Sequence, residues 1–178
     1  MSIITKVGDG GDTSLGGGRK VRKNDPLVEA LGAVDELNAA LGLAATLPAG
    51  EPLVETLSDI QRRLCSLSAD LAARPGRGAP TPRISPADAA WVEKEAAALE
   101  TSLPPLKNFI LPGGAPAGAA LHWARAVCRR AERRIVPLLK KERASKDALI
   151  FLNRVSDFLF LIARDANRRA GKPESLWP

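Results

Sequence analysis

Residues 115–143 read APAGAALHWARAVCRRAERRIVPLLKKER. Leu121, Ala124, Cys128, Ala131, Ile135 and Leu138 recur at spacings of three and four, the period of one helix face. His122, Arg125, Arg129, Glu132 and Arg133 fall on a second stripe about 100° wide, directly beside the first. Arg130 and Arg134 fall outside both stripes and are expected to face solvent. Pro137 sits inside the pattern, where a proline kinks a helix. A helix with one apolar stripe must bury it against other elements, so this stretch sets the fold class.

The same period runs outward from it. Asp25 as N-cap and Pro26 at the first position open a helix carrying Leu27, Ala30, Leu31, Val34, Leu37 and Leu41, which should end before Pro48. A second helix runs from about Glu51 to Ala73, with Leu53, Leu57, Ile60, Leu64, Leu67 and Leu71 on its apolar face. Residues 74–85, RPGRGAPTPRIS, read as a loop. Ser85-Pro86 opens a third helix that continues to about Leu103. Prolines and glycines bracket Leu106–Leu111, a helix follows from about Ala115 to Arg143, and Ser145 begins a last one. That helix runs to about Ala170, where Gly171 and Pro173 stop it, and puts Ile150, Leu152, Val155, Leu159, Ile162 and Ala163 on its core side. No strand alternation of useful length is visible. The expectation is an all-α, five-helix bundle over residues 26–178 as a single domain, preceded by an irregular glycine-rich arm at residues 1–25.

Composition agrees. A chain of 178 residues suits one domain, and its 45% hydrophobic share with only 4% aromatics and no Tyr is mostly Ala, Leu, Val and Ile. Cys65 and Cys128 lie in apolar-periodic stretches without metal or redox spacing, so both are expected to be small buried thiols. One histidine excludes a multi-histidine metal cage within the chain. No signal segment or bilayer-length apolar run is present, so the expected location is cytoplasmic, with no membrane partner. The net charge of +6 calls for a polyanion, either a nucleic acid or a small polyphosphate. Scarce aromatics argue against stacked bases, and no nucleic-acid partner is expected.

Three segments carry more than a bundle needs. The arm holds Thr5, Lys6, Gly8, Asp9, Gly11, Thr13 and Ser14, then Lys20 and Lys23. Glycines let backbone amides approach and cradle phosphate, although the P-loop string is missing. Alone, the arm also fits a disordered glycine tail. The arginine stripe suits phosphate through bidentate hydrogen bonds, or a solvated basic face with Glu–Arg pairs. On the last helix Asn153, Asp157, Phe160 and Arg164 share one side, while Asp35, Glu36 and Asn38 edge the apolar stripe of the first. Singly these are ordinary helix contacts; jointly the three segments describe a polyphosphate nucleotide site.

The strings themselves resemble a family. Thr5-Lys6-x-Gly8-Asp9-x-Gly11, Lys23, and Ala30-x-Gly32-x-x-Asp35-Glu36-Leu37-Asn38 are similar to the N-terminus of PduO-type ATP:cob(I)alamin (corrinoid) adenosyltransferases. Phe109-Ile110-Leu111-Pro112-Gly113-Gly114, the run Leu121–Arg133 and the run Leu152–Arg164 are similar in the same order. The resemblance implies a homotrimer with active sites between subunits. It implies transfer of the 5′-deoxyadenosyl group of ATP to cob(I)alamin, with Mg²⁺ on the phosphates rather than in a dedicated protein cage. By motif position, Thr5, Lys6, Gly8, Asp9, Gly11, Thr13, Ser14, Lys23, Arg129, Glu132, Arg133 and Asn153 bind ATP. Asp35, Arg125, Arg129 and Phe109 are the catalytic set. Asp35 pairs with Arg125 across the interface, and Phe109 lies against the corrin face. His122 takes a structural or substrate-positioning part, since ligation would oppose reduction of cobalt. A reductase or a cobalamin-dependent mutase is the implied partner. Asp12 stands where the family commonly has Thr, and Gly16 replaces a bulkier residue; both are expected to weaken ATP binding slightly. The alternatives are an ATP-binding regulatory bundle without catalysis, a basic nucleic-acid-binding bundle, and a structural bundle.

Overall fold

The computed structural model describes residues 4, 6–48, 51–73, 82–141 and 143–177. Thr5 and most of the expected loop at 74–85 lie outside them. Among the described residues five helices form: α1 (Pro26–Ala45), α2 (Glu51–Ala72), α3 (Pro86–Glu100), α4 (Pro116–Leu139) and α5 (Lys146–Arg169). The caps follow local chemistry. The Asp25 carboxylate accepts from the Leu27 amide at 2.8 Å, with Pro26 at the first position. That bond holds the Asp25 carboxyl below its ordinary range, against partial burial and with help from Arg143. Ser85 and Asp88 form a capping box on α3, and the Ser145 hydroxyl accepts from the Ala148 amide on α5.

Two helices end earlier than their periodicity suggests. In α3 the hydroxyls of Thr101 and Ser102 bond back to the carbonyls of Ala98 and Leu99, closing the last turn before Pro104. In α4 the chain leaves the helix at Leu139, soon after Pro137, and Arg143 folds back to pair with Asp25 at 3.0 Å.

The arm corrects the sequence reading. It contains an antiparallel hairpin, β1 (Asp12–Leu15) and β2 (Arg19–Arg22), with Asp12 opposite Arg22 and Leu15 opposite Arg19. The glycines fall in the 3-10 turn Gly16–Gly18 rather than inside a strand, which is why a glycine-rich composition tolerates it. Two four-residue strands are too short to leave a periodic signal. A Cβ on Gly16 would lie 2.9 Å from the Ala72 carbonyl oxygen, so this glycine seats the hairpin turn on the end of α2.

Packing centres on α4. It lies between α1 and α5, α2 covers the other side of α1, and α3 covers α5. All six residues of its apolar stripe, Leu121 to Leu138, are buried. On α5 the expected core position Ile150 is exposed, because Phe151 and Phe158 occupy that side. Cys65 is also exposed, one residue off the stripe of Leu64 and Leu67, and receives the Asn38 amide at 3.5 Å. Cys128 is buried as expected, and burial pushes its thiol well above the usual range. No helix among the described residues is long and apolar enough to cross a membrane.

The end of α5 holds the start of α4. Asn167 is buried; its Nδ2 donates to the Gly113 carbonyl and its Oδ1 accepts from the Ala115 amide, each at 2.9 Å. Gly114, at φ 103°, and Gly118 pack directly on that amide group, leaving no space for a Cβ. Gly118→Ala is expected to destabilise the protein by about 1–3 kcal/mol through overpacking, read as a lower urea midpoint.

His122 is 3% exposed on α4, and neither ring nitrogen finds a hydrogen-bond partner among the described residues. Its ring meets Phe160 edge-on at 5.8 Å. Burial, then the nearby Arg125 charge, lowers its pKa. The unfolded chain therefore takes up a proton near pH 6.5 that the folded chain refuses, and stability falls as pH drops below about 6.5. His122→Leu is expected to lose less stability than the parent between neutral pH and about pH 5.5, measured as paired urea midpoints.

Candidate functional site

The arginine stripe of α4 opens onto a cavity of about 480 Å³. Arg125 and Arg129 line it from α4, Arg154, Ser156, Asp157, Phe160 and Arg164 from α5, and Glu93 and Glu100 from α3. Leu103–Leu106 close one side. The Arg125 guanidinium carbon lies 5.9 Å from the centre of the Phe160 ring, and its buried Nε has no hydrogen-bond partner among the described residues. Such a donor, half-buried and unsatisfied, is costly unless something else meets it.

Beside the cavity Asn153 Nδ2 donates to Glu132 Oε1 at 3.2 Å, which joins two residues the sequence reading assigned to ATP. The Asn153 carbonyl accepts from Arg154 at 2.7 Å, and Arg154 donates to Glu93 at 2.6 Å. The orientation of the Asn153 amide is thereby fixed from both ends. Arg129 and Arg133 are exposed. Arg130 and Arg134 are exposed but do not simply face solvent: they pair with Glu36 and Glu29 of α1. Those pairs tie α4 to α1 and leave Arg125, Arg129 and Arg133 as the guanidinium groups of the helix without an acidic partner among the described residues.

Asp35 is exposed on α1 and forms no ion pair with Arg125 inside the chain. The arm likewise stands apart. Gly8 and Lys23 meet there: a Cβ on Gly8 would lie 3.2 Å from Lys23 Nζ. Lys6, at φ 58°, and Gly11, at φ 86°, make the tight turns, while the amides of Asp9 and Gly11 donate inward to the carbonyls of Lys6 and Gly8. Thr13 is half-buried and Ser14 exposed on β1. The charge of Asp12 is answered by Arg22 at 3.3 Å across the hairpin. No described arm residue lines the arginine cavity.

Phe109 is 78% exposed and meets Trp177 edge-on at 6.5 Å. The two are carried by paired segments, with Trp177 N donating to Phe109 O at 2.8 Å and Leu111 N to Ser175 O at 2.7 Å. Leu106 lines both the arginine cavity and the recess formed by Lys107, Asn108, Phe109 and Trp177, so the two features share a wall. Sequence reasoning missed Trp177. The available signal was an aromatic beyond the helix stop in a chain that has few.

A larger cavity of about 680 Å³ lies at the other end of the bundle, lined by Arg19, Asp70, Arg83, Arg143 and Asp147. Two of its arginines already have acidic partners: Arg83 pairs with Asp70 at 3.7 Å, and Arg143 with Asp25 outside the lining. Burial raises the Asp70 carboxyl above its ordinary pKa. It gathers none of the residues singled out for the nucleotide.

Residues 3–166 match the family described as cobalamin adenosyltransferase. Corrinoid adenosyltransferase MMAB of Bos taurus is 39% identical over 193 residues, spanning 98% of this chain and 75% of that protein. The corrinoid adenosyltransferase of Bacillus subtilis is 40% identical over 175 residues, 96% of this chain and 89% of that one. Among solved structures, a variant of a PduO-type ATP:corrinoid adenosyltransferase from Lactobacillus reuteri, complexed with cobalamin and ATP, has a TM-score of 0.91 at 38% identity and covers 99% of both chains. With the helices, the arginine row and the aromatic pair in place, the chain belongs to the cobalamin adenosyltransferase family.

Proposed function

We propose that this chain transfers the 5′-deoxyadenosyl group of ATP to cob(I)alamin, releasing triphosphate and forming adenosylcobalamin. The observation that carries the reading is the shared wall at Leu106: a cavity bordered by Arg125 and Arg129 adjoins a recess bearing exposed Phe109 and Trp177. A triphosphate suits the first and a flat macrocycle the second. In the reaction the Co(I) electron pair forms the bond to C5′. The C5′–O bond breaks, its electron pair leaves on triphosphate, and cobalt ends as Co(III). The nucleophile belongs to the substrate, so the protein has to align the partners and stabilise the departing charge.

Arg129 and Arg133 meet the phosphates, Glu132 and Asn153 position them, and the arm of a neighbouring copy covers them with Thr5, Lys6, Gly8, Asp9, Gly11, Thr13, Ser14 and Lys23. Residues 1–25 thus act as the nucleotide arm and 26–178 as the bundle domain. Glu132 is the one carboxylate in the arginine row of α4, which suits Mg²⁺ that arrives on the phosphates rather than in a protein cage. Phe109 covers the lower corrin face and excludes an axial ligand, which eases reduction of Co(II). Three features among the described residues support contact with neighbouring copies, which this reading takes as a homotrimer: an Arg125 Nε without a hydrogen-bond partner, an Asp35 without an ion pair, and the exposed apolar Leu43, Trp123 and Val136. A reductase supplying the electron for Co(I), or a cobalamin-dependent mutase consuming the product, is the partner class this reading implies.

Mixing the protein with ATP and cob(I)alamin is expected to convert the corrin absorbance to that of the alkylated product. Arg129→Ala is expected to lower turnover on the order of a hundredfold. An unchanged spectrum with tight ATP binding would favour a regulator instead. Asp35→Ala and Arg125→Ala are expected to fail alike, with a double mutant less impaired than their sum by about 0.5–3 kcal/mol. Additive losses would mean the two do not touch.

A further inference from the structure

The C-terminal segment leaves α5 at Gly171, φ 64°, and turns back with Lys172 N donating to Asn167 O. Beyond that turn a buried ion pair ties it to the bundle. Arg164, 5% exposed, donates Nε to Glu174 Oε1 at 2.6 Å and Nη2 to Glu174 Oε2 at 3.3 Å. The same Nη2 also donates to the Pro104 carbonyl at 2.9 Å. One buried guanidinium therefore holds the roots of both segments of the aromatic lip: Pro104 leads into Leu106–Phe109, and Glu174 leads into Trp177. A buried charge with this fork geometry tolerates little displacement.

We propose that Glu174, through Arg164, is a positioning residue for the reaction: it fixes the register of the C-terminal segment, so that Trp177 buttresses Phe109 against the corrin. The proposal rests on the reading that Phe109 faces the corrin. The two chain segments contribute few contacts of their own. Their pairing comprises the Ile110–Leu176 bridge and the two backbone bonds already described. An isolated pairing of that size is not stable alone in water, so the ion pair at its root sets whether it persists.

The test compares turnover from cob(II)alamin plus reductant with turnover from chemically prereduced cob(I)alamin. Glu174→Ala is expected to lose on the order of tenfold more in the first assay than in the second. It should weaken the electron paramagnetic resonance signal of four-coordinate Co(II), and speed amide exchange at Leu111 and Trp177. Glu174→Gln keeps an acceptor for Arg164 and should retain most of the Co(II) turnover. Arg164→Lys keeps the charge but loses the fork, and should behave like Glu174→Ala. Equal losses in both assays, or unchanged exchange at Leu111 and Trp177, would overturn the proposal. Phe109→Ala is measured alongside. If it separates the two assays and Glu174→Ala does not, the clamp alone fails; if Phe109→Ala fails to separate them, the reading of Phe109 itself falls.

Discussion

The architecture depends on burying one stripe of α4 against two neighbours at once. Leu121, Ile135 and Leu138 are fully buried, and each such side chain is worth about 1.5–3 kcal/mol of transfer free energy. Because α1 and α5 take the two sides of that stripe, the adjoining arginine stripe has only one place to go. It lies at the rim of the bundle, half in the apolar layer and half open. The guanidinium groups nearest the core, Arg125 above all, are held partly dehydrated and ready for an anion.

That constraint also sorts the remaining charges. Arg130 and Arg134 turn toward α1 and are neutralised by Glu36 and Glu29. Arg154 is drawn toward Glu93 of α3. These surface pairs contribute little to stability individually. Their effect is to orient α1 and α3 on either side of the α4–α5 pair, so that the cavity between α3, α4 and α5 has defined walls. Asn153 shows the same logic at smaller scale: a single amide, anchored at both ends, presents one fixed edge.

Much of this was legible in the sequence, and the parts that were not have identifiable reasons. The α4 stripe, the Asp25-Pro26 start and the Ser85-Pro86 start follow from periodicity and capping chemistry, which are local. The hairpin at 12–22 was hidden because its strands are short and its glycines sit in the turn. Ile150 and Cys65 were misplaced by one position on their helices, since a stripe fixes a face only to within about one residue. The partners of Arg130, Arg134 and Arg164 come from distant segments, and no spacing rule reaches them. Trp177 lay in a tail with no period at all, and it acquires meaning only through its edge contact with Phe109.

The seat made by Gly114 and Gly118 around Asn167 has a consequence for how such chains can diverge. The three positions behave as one unit of heredity, because the space for the amide exists only while both glycines lack a Cβ. A methyl gained at 118 becomes admissible once position 167 has shrunk, and a shortened 167 leaves the Ala115 amide in search of another acceptor. Drift at this corner therefore has to proceed in correlated steps, while the solvent faces of α2 and α3 can vary one residue at a time.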